Sequence, residues 1–200
     1  FDPLAIGLKG RFQFNGNLKD ATGNLFDGIP TMNATVTYTT DRKGVTNNAI
    51  QFTGYGIDIL NVPYKKTMSV ATWVKFSSST VFPSSYFVSS ALFGPSFSQM
   101  FNEYWAVIST PATAGVPSGA MDNNWHHLVA TYDATFIKLY VDGIYIGSAV
   151  NKSVVAPGST KYRIGYMPAG VNSYWQGCID DLRFYDRVLS ATEAKKLSSL

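Results

Sequence analysis

Carboxylates are the first residues to test for chemistry, because glycoside cleavage usually needs two of them flanking the scissile bond. The chain has Glu103 and Glu193 and no other glutamate. Glu193 follows Ser190 at the spacing of a capping box and is claimed by a helix start. Glu103 has no acidic neighbour two or four residues away, so no second carboxylate shares its side of a strand. Asp180 and Asp181 are adjacent; neighbouring strand residues face opposite sides, so these two are not expected to act as a pair. The same alternation separates His126 from His127, and with no third histidine and a lone Cys178 there is little to hold zinc. No G-x-S-x-G nucleophile elbow occurs. These patterns point away from catalysis.

Binding chemistry is better supplied. Calcium takes about six to eight oxygen ligands, and the polar loop from Asp20 to Gly28 offers Asp20, Asn24 and Asp27 together with backbone carbonyls. The expected ion site joins these to one of Asp180 and Asp181. The alternative is that the same side chains only bond to local amides and build turns. A sugar ring needs an exposed aromatic plane with polar groups around it. Trp105, flanked by Tyr104 and Asn102, meets that requirement, as do Tyr174 beside Asn172 and Ser173, and Tyr55 between two glycines. Trp105-Ala106-Val107-Ile108 also reads as a core strand.

The elements that must position these residues are mostly β. Hydrophobic residues make up 46% of the 200 and charged residues 14%, with abundant Phe and Tyr; that composition suits half-buried strands around one core. Met68 to Phe76 reads as a strand. Phe136 to Val141 and Ile144 to Ile146, joined by Asp142-Gly143, read as a hairpin on a type I′ turn. Ser77 to Ser98 is rich in serine and aromatics, broken by Pro83, Gly94 and Pro95, and is the least regular stretch. Ser190-Ala191-Thr192-Glu193 opens a short helix ending near Leu197. Many short strands and one late helix predict an all-β, antiparallel two-sheet sandwich forming a single domain over residues 1–200. The basic residues are scattered, so nucleic acid is not an expected partner. No apolar run reaches the roughly 20 residues needed to span a bilayer.

Several segments in order resemble the laminin-G-like branch of the concanavalin A-like lectin and glucanase superfamily. They are Asp20 to Asn24, Ala49 to Gly54, Met68 to Val74, Trp125 to Tyr132 with Leu139 to Gly143, and Gly177 to Tyr185 followed by Arg187 to Ser190 and Glu193. Residues 77 to 117 have no counterpart. The resemblance implies a jelly roll of two curved antiparallel sheets and a range of functions from sugar binding to protein adhesion, with some glycosidases. It also implies a structural calcium, as many such domains carry one, and a core role for Trp73, Trp125 and Trp175. The expectation is a non-catalytic glycan-binding module of a secreted or cell-surface protein, any export signal or anchor lying outside this chain. A protein-adhesion or structural spacer domain is the alternative, with a glycoside hydrolase on the same fold ranked behind it.

Overall fold

The computed structural model describes residues 2–24, 26–76, 84–90, 95–100, 103–108, 114–117, 122–150, 158–166 and 174–200. In chain order its strands are β1 (Leu8–Phe12), β2 (Gly28–Pro30), β3 (Thr37–Thr39), β4 (Ala49–Thr53), β5 (Ile57–Tyr64) and β6 (Met68–Phe76). Then come β7 (Ser84–Ser90), β8 (Pro95–Met100), β9 (Glu103–Ile108) and β10 (Ala114–Pro117). The series closes with β11 (His126–Tyr132), β12 (Phe136–Val141), β13 (Ile144–Val150), β14 (Gly158–Ile164), β15 (Gln176–Tyr185) and helix α1 (Ala191–Leu197). β7 and most of β8 therefore lie within the stretch whose composition suggested irregularity. The serines there are no bar to a ladder: Ser89, Ser96 and Ser98 are buried.

The strands form two antiparallel sheets. One, the helix-side sheet, runs β13-β12-β11-β6-β15-β4-β3, with β1 added to the end of β15; the other, the far sheet, runs β10-β9-β8-β7-β14-β5-β2. Alternation along the strands fills the space between them. Met68, Val70 and Val74 of β6, Leu128 and Ala130 of β11, and Ile179, Leu182 and Phe184 of β15 meet Ile57, Phe87, Phe97, Tyr162 and Ile164 of the far sheet. Fully burying such a side chain contributes about 1.5–3 kcal/mol. Trp175 lies at the centre, 5.1 Å from the Phe87 ring and 6.2 Å from that of Phe52. Gly177 makes room for it, since a Cβ there would come within 2.2 Å of the indole.

The outer face of the helix-side sheet is divided. α1, with the capping box between Ser190 and Glu193, lays Ala194 and Leu197 over Ala71, Val129, Tyr140 and Tyr185. The Asp142-Gly143 turn joins β12 to β13 with both residues at positive φ, as a type I′ hairpin requires. Beside the helix, the rest of that face carries polar and aromatic side chains.

Candidate functional site

The site begins with a β-bulge. Asp180 pairs with Trp73 of β6 but Arg183 already pairs with Ala71, so Asp181 and Leu182 together oppose Thr72. Asp181 takes φ 45, and the Thr72 hydroxyl, 3.1 Å from the Asp180 carbonyl, donates to it across the irregularity. An inserted residue changes the phase of alternation. Ile179 and Leu182 both enter the core, and Asp180 and Asp181 both line a cavity on the outer face. Simple alternation predicts that the two aspartates part; the bulge brings them together.

Three arginines converge on them. Arg183 donates to both Asp181 oxygens, at 3.1 and 2.6 Å, and Arg11 Nε of β1 donates to Asp181 at 3.0 Å. Arg42, from the turn between β3 and β4, pairs with Asp180, and its second nitrogen lies 3.8 Å from Asp181. The turn is held by Asp41, whose carboxylate accepts from the backbone amides of Lys43 and Val45, both at 2.8 Å. Burial alone would raise the Asp181 pKa, but Arg183 and Arg11 overcome it and hold the group below the usual carboxylate range. At Asp180, burial and the neighbouring Asp181 charge prevail over Arg42, and its pKa is pushed up to about 7.

A row of side chains crosses the sheet from this cluster. Trp73 pairs with both Asp180 and His127. The Arg42 guanidinium lies 5.0 Å from the centre of the Trp73 ring, a cation–π contact, and the His127 ring is 5.2 Å from Trp73 on its other neighbour strand. Burial drives the His127 pKa down to about 3, so the imidazole is neutral, and its Nδ1 has no hydrogen-bond partner among the described residues.

Two cavities open on this face and meet at Arg42 and Lys43. The first, about 180 Å³, has Asp180 and Asp181 together with Arg11, Gln13 and Asn48 in its wall. The second, about 340 Å³, is lined by Trp73, Trp125, and Ser198, Ser199 and Leu200 after α1. Trp73 and Trp125 are half-buried and face this cleft, whereas the family resemblance implied core positions for them. Trp175 is fully buried, as implied. The signal for Trp73 lay in β6 itself: Met68, Val70 and Val74 fill the core, which turns the odd positions outward.

Trp125 is held by its neighbour. His126 Nδ1 lies 2.8 Å from Asp142 Oδ2 and its Nε2 lies 2.9 Å from Asp122 Oδ1, tying the segment before β11 to the hairpin turn. Burial works against the imidazolium, but the bonds to Asp142 and Asp122 outweigh it and raise the His126 pKa. A raised pKa in the folded state means stabilisation fully present below the unfolded value of about 6.5 and lost as pH rises through the folded value. Because Asp122 and Asp142 are largely exposed, the contribution is expected to stay below about 1 kcal/mol. Urea melts between pH 6 and 8 check it: His126→Gln should flatten that part of the profile. An unchanged slope would show the histidine does not bridge in solution.

The residues picked from sequence for a metal are placed differently. Asp20 Oδ1 accepts from the amides of Arg11 and Thr22, both at 3.0 Å, and the Thr22 hydroxyl lies 2.8 Å from each carboxylate oxygen. Asp27 accepts from Lys19 at 2.6 Å and from the amide of Asp20 at 3.0 Å. Asn24 turns its amide nitrogen to the Lys9 carbonyl at 2.8 Å. With Asp180 and Asp181 committed to arginines, this donor set does not fit a calcium ion. Among the described residues no three His, Cys, Asp or Glu side chains converge on a metal position.

Of the aromatic candidates, Tyr55 is a correction: it is 6% exposed, donates to the Gln51 carbonyl at 2.8 Å and accepts from the Thr37 amide at 3.0 Å. A ring so enclosed offers no stacking plane, and its flanking glycines serve the backbone. Tyr174 is half-buried and stacked on Tyr166, ring centres 6.1 Å apart. Tyr166 in turn donates to Asp58 at 2.6 Å on the far sheet. Tyr104 and Trp105 lie in β9 of that sheet, where Trp105 pairs with Ser98 and Pro117; their side chains lie outside the described residues, as does all of Asn102. The β9 residues thus belong to the far sheet, Tyr174 is bridged to Tyr166 just beyond β14 of that sheet, and the arginine–tryptophan groove belongs to the helix-side sheet.

A two-sheet antiparallel sandwich with one C-terminal helix is the concanavalin A-like architecture. Residues 31–195 match the laminin-G-like family of the concanavalin A-like lectin/glucanases superfamily, and the chain belongs to it. No curated protein matches by sequence. Among solved structures, domain 4 of AbnA, an extracellular GH43 arabinanase from Geobacillus stearothermophilus, in complex with arabinotriose, superposes with a TM-score of 0.76. It is 23% identical, and the match covers 96% of this chain and 98% of that one. The botulinum neurotoxin serotype D ligand-binding domain, in complex with N-acetylneuraminic acid, gives 0.72 at 14% identity, over 96% of this chain and 50% of that one. Trypanosoma rangeli sialidase in complex with sialic acid gives 0.71 at 18% identity, over 96% and 32%. These neighbours bind or act on glycans, and the fold serves lectins and glycosidases alike. Among the described residues no helix is long and apolar enough to cross a membrane.

Proposed function

We propose that the chain is a non-catalytic glycan-binding module of a secreted or cell-surface protein, and that the glycan lies in the groove on the helix-side sheet. The observation that carries this reading is the cleft between Trp73 and Trp125, which runs past Arg42 and Lys43 into a polar cavity. Aromatic planes beside convergent polar groups are what a sugar requires, its apolar ring faces stacking while its hydroxyls find partners. The glycan-binding neighbours support the same class of ligand.

A catalytic role is the reading to weigh against it, since two carboxylates with opposed pKa shifts are the mark of a glycosidase pair. Here Asp180 and Asp181 are 3% and 6% exposed. Both Asp181 oxygens are taken by arginines and Asp180 is paired with Arg42, so neither is presented to a bond in the cleft. The pair is a buried anchor that fixes the arginines of the groove.

In this reading Asp20, Asn24 and Asp27 are tied by hydrogen bonds to Arg11, Lys9 and Lys19, and glycan binding needs no calcium. A glycan array probed with the intact chain, in calcium and in chelator, tests both statements. Specific binding of equal strength in the two buffers, with an unchanged melting temperature, is expected. Binding or a melting temperature that depends on calcium would restore the ion site. A blank array from folded protein would reject the glycan reading and turn attention to edge strand β13. There Ile144, Tyr145 and Val150 are 67%, 50% and 51% exposed, and an apolar edge suits a protein partner.

A further inference from the structure

We infer that the 180 Å³ polar cavity is a subsite for one uncharged, hydroxyl-rich sugar unit of a glycan whose next unit lies along Trp73 and Trp125. This deepens the glycan-binding reading and rests on it. The space equals the liquid-volume share of about six waters at roughly 30 Å³ each, which admits one small polar ring. Asp180 and Asp181, both buried, are part of its wall, and it adjoins the tryptophan cleft at Arg42 and Lys43.

The chemistry of the wall selects the unit. Arg11, Arg42 and Lys43 face it with three positive charges, and Asp41, Asp180 and Asp181 with three carboxyl groups, so there is no excess of cations to draw an anion. An anionic sugar would meet carboxylates. A hydroxyl both donates and accepts, and a wall that holds guanidinium, amide and carboxyl groups satisfies it in either role. The side chains of Gln13 and Asn48 line the cavity and make no hydrogen bond within the described residues, which leaves their amides open to a ligand. They stand apart from the arginine–aspartate network, so their removal tests recognition without dismantling the fold.

The test is calorimetric titration of arabinotriose, xylotriose, cellotriose and trigalacturonic acid into the intact chain, the double variant Gln13→Ala/Asn48→Ala, and Trp125→Ala. At least one neutral trisaccharide should bind the wild type. The double variant should bind it about ten-fold more weakly with an unchanged melting temperature, and Trp125→Ala should lose it. If the double variant binds as the wild type does while Trp125→Ala fails, the subsite is wrong and the tryptophan cleft stands. If trigalacturonic acid binds more tightly than the neutral probes and depends on Gln13 and Asn48, the cavity takes an acidic unit and the inference is overturned. If no probe binds the wild type, the inference fails with the reading beneath it.

Discussion

Asp181→Ala is expected to destabilise the protein by about 3–5 kcal/mol, because removing one partner of a buried ion network leaves the others charged and unpaired. Arg183 is 5% exposed, and both it and Arg11 pair with Asp181, while Asp180 already faces Arg42. The backbone adds to the cost, since Asp181 holds φ 45, a conformation Asp and Asn adopt more readily than Ala. Asp181→Asn keeps that preference and removes only the charge, so its loss should be smaller. The pH dependence has a definite sign: with its folded pKa held below the unfolded value, Asp181 stabilises the fold above about pH 4 and that contribution fades as pH falls through the folded value. Urea unfolding of the two variants at pH 7 and in acid measures all three terms. A change under 1 kcal/mol for Asp181→Ala would mean the arginines find solvent instead.

Trp125→Ala is expected to weaken glycan binding by at least about thirty-fold, roughly 2 kcal/mol, the loss typical of a central tryptophan in a binding interface. Trp125 is the cleaner of the two cleft residues. Trp73 supports Arg42 and packs on His127, so its removal would disturb the charged cluster as well as the cleft. Trp125 sits just before β11, half-buried, and the bonds of His126 to Asp122 and Asp142 do not pass through its side chain. The variant should therefore stay folded, with a small change in melting temperature, and calorimetry against an array-positive glycan gives the number. Full affinity would remove the cleft from the site.

Local signals carried far in this chain where they were backbone signals. Asp142-Gly143 makes its type I′ turn and Ser190 with Glu193 makes its capping box, because each depends on a few neighbouring residues alone. The sandwich followed from the same turns and from the family-like segments. The site was less legible. Its central device, the bulge at Asp181, is one residue of altered phase, and an Asp-Asp pair in a long strand gives no sign of it. Alternation then assigns the two aspartates to opposite faces, which is correct for every unbulged strand and wrong here. Arg42-Lys43, adjacent cations in a turn, belong to the groove through tertiary contacts with residues more than 130 positions away. Tyr55 failed for a different reason: a tyrosine between glycines can face water or find partners for its hydroxyl inside, and here the Gln51 carbonyl and Thr37 amide supply them.

The most direct test of the groove is the indole region of a proton–nitrogen correlation spectrum. The chain has four tryptophans, giving one side-chain N–H signal each, assigned by single replacements. Titration with an array-positive glycan should move the Trp73 and Trp125 signals and leave that of buried Trp175 nearly still. Movement confined to Trp105, with Trp73 and Trp125 unchanged, would place the glycan on the far sheet and contradict the site proposed on the helix-side sheet.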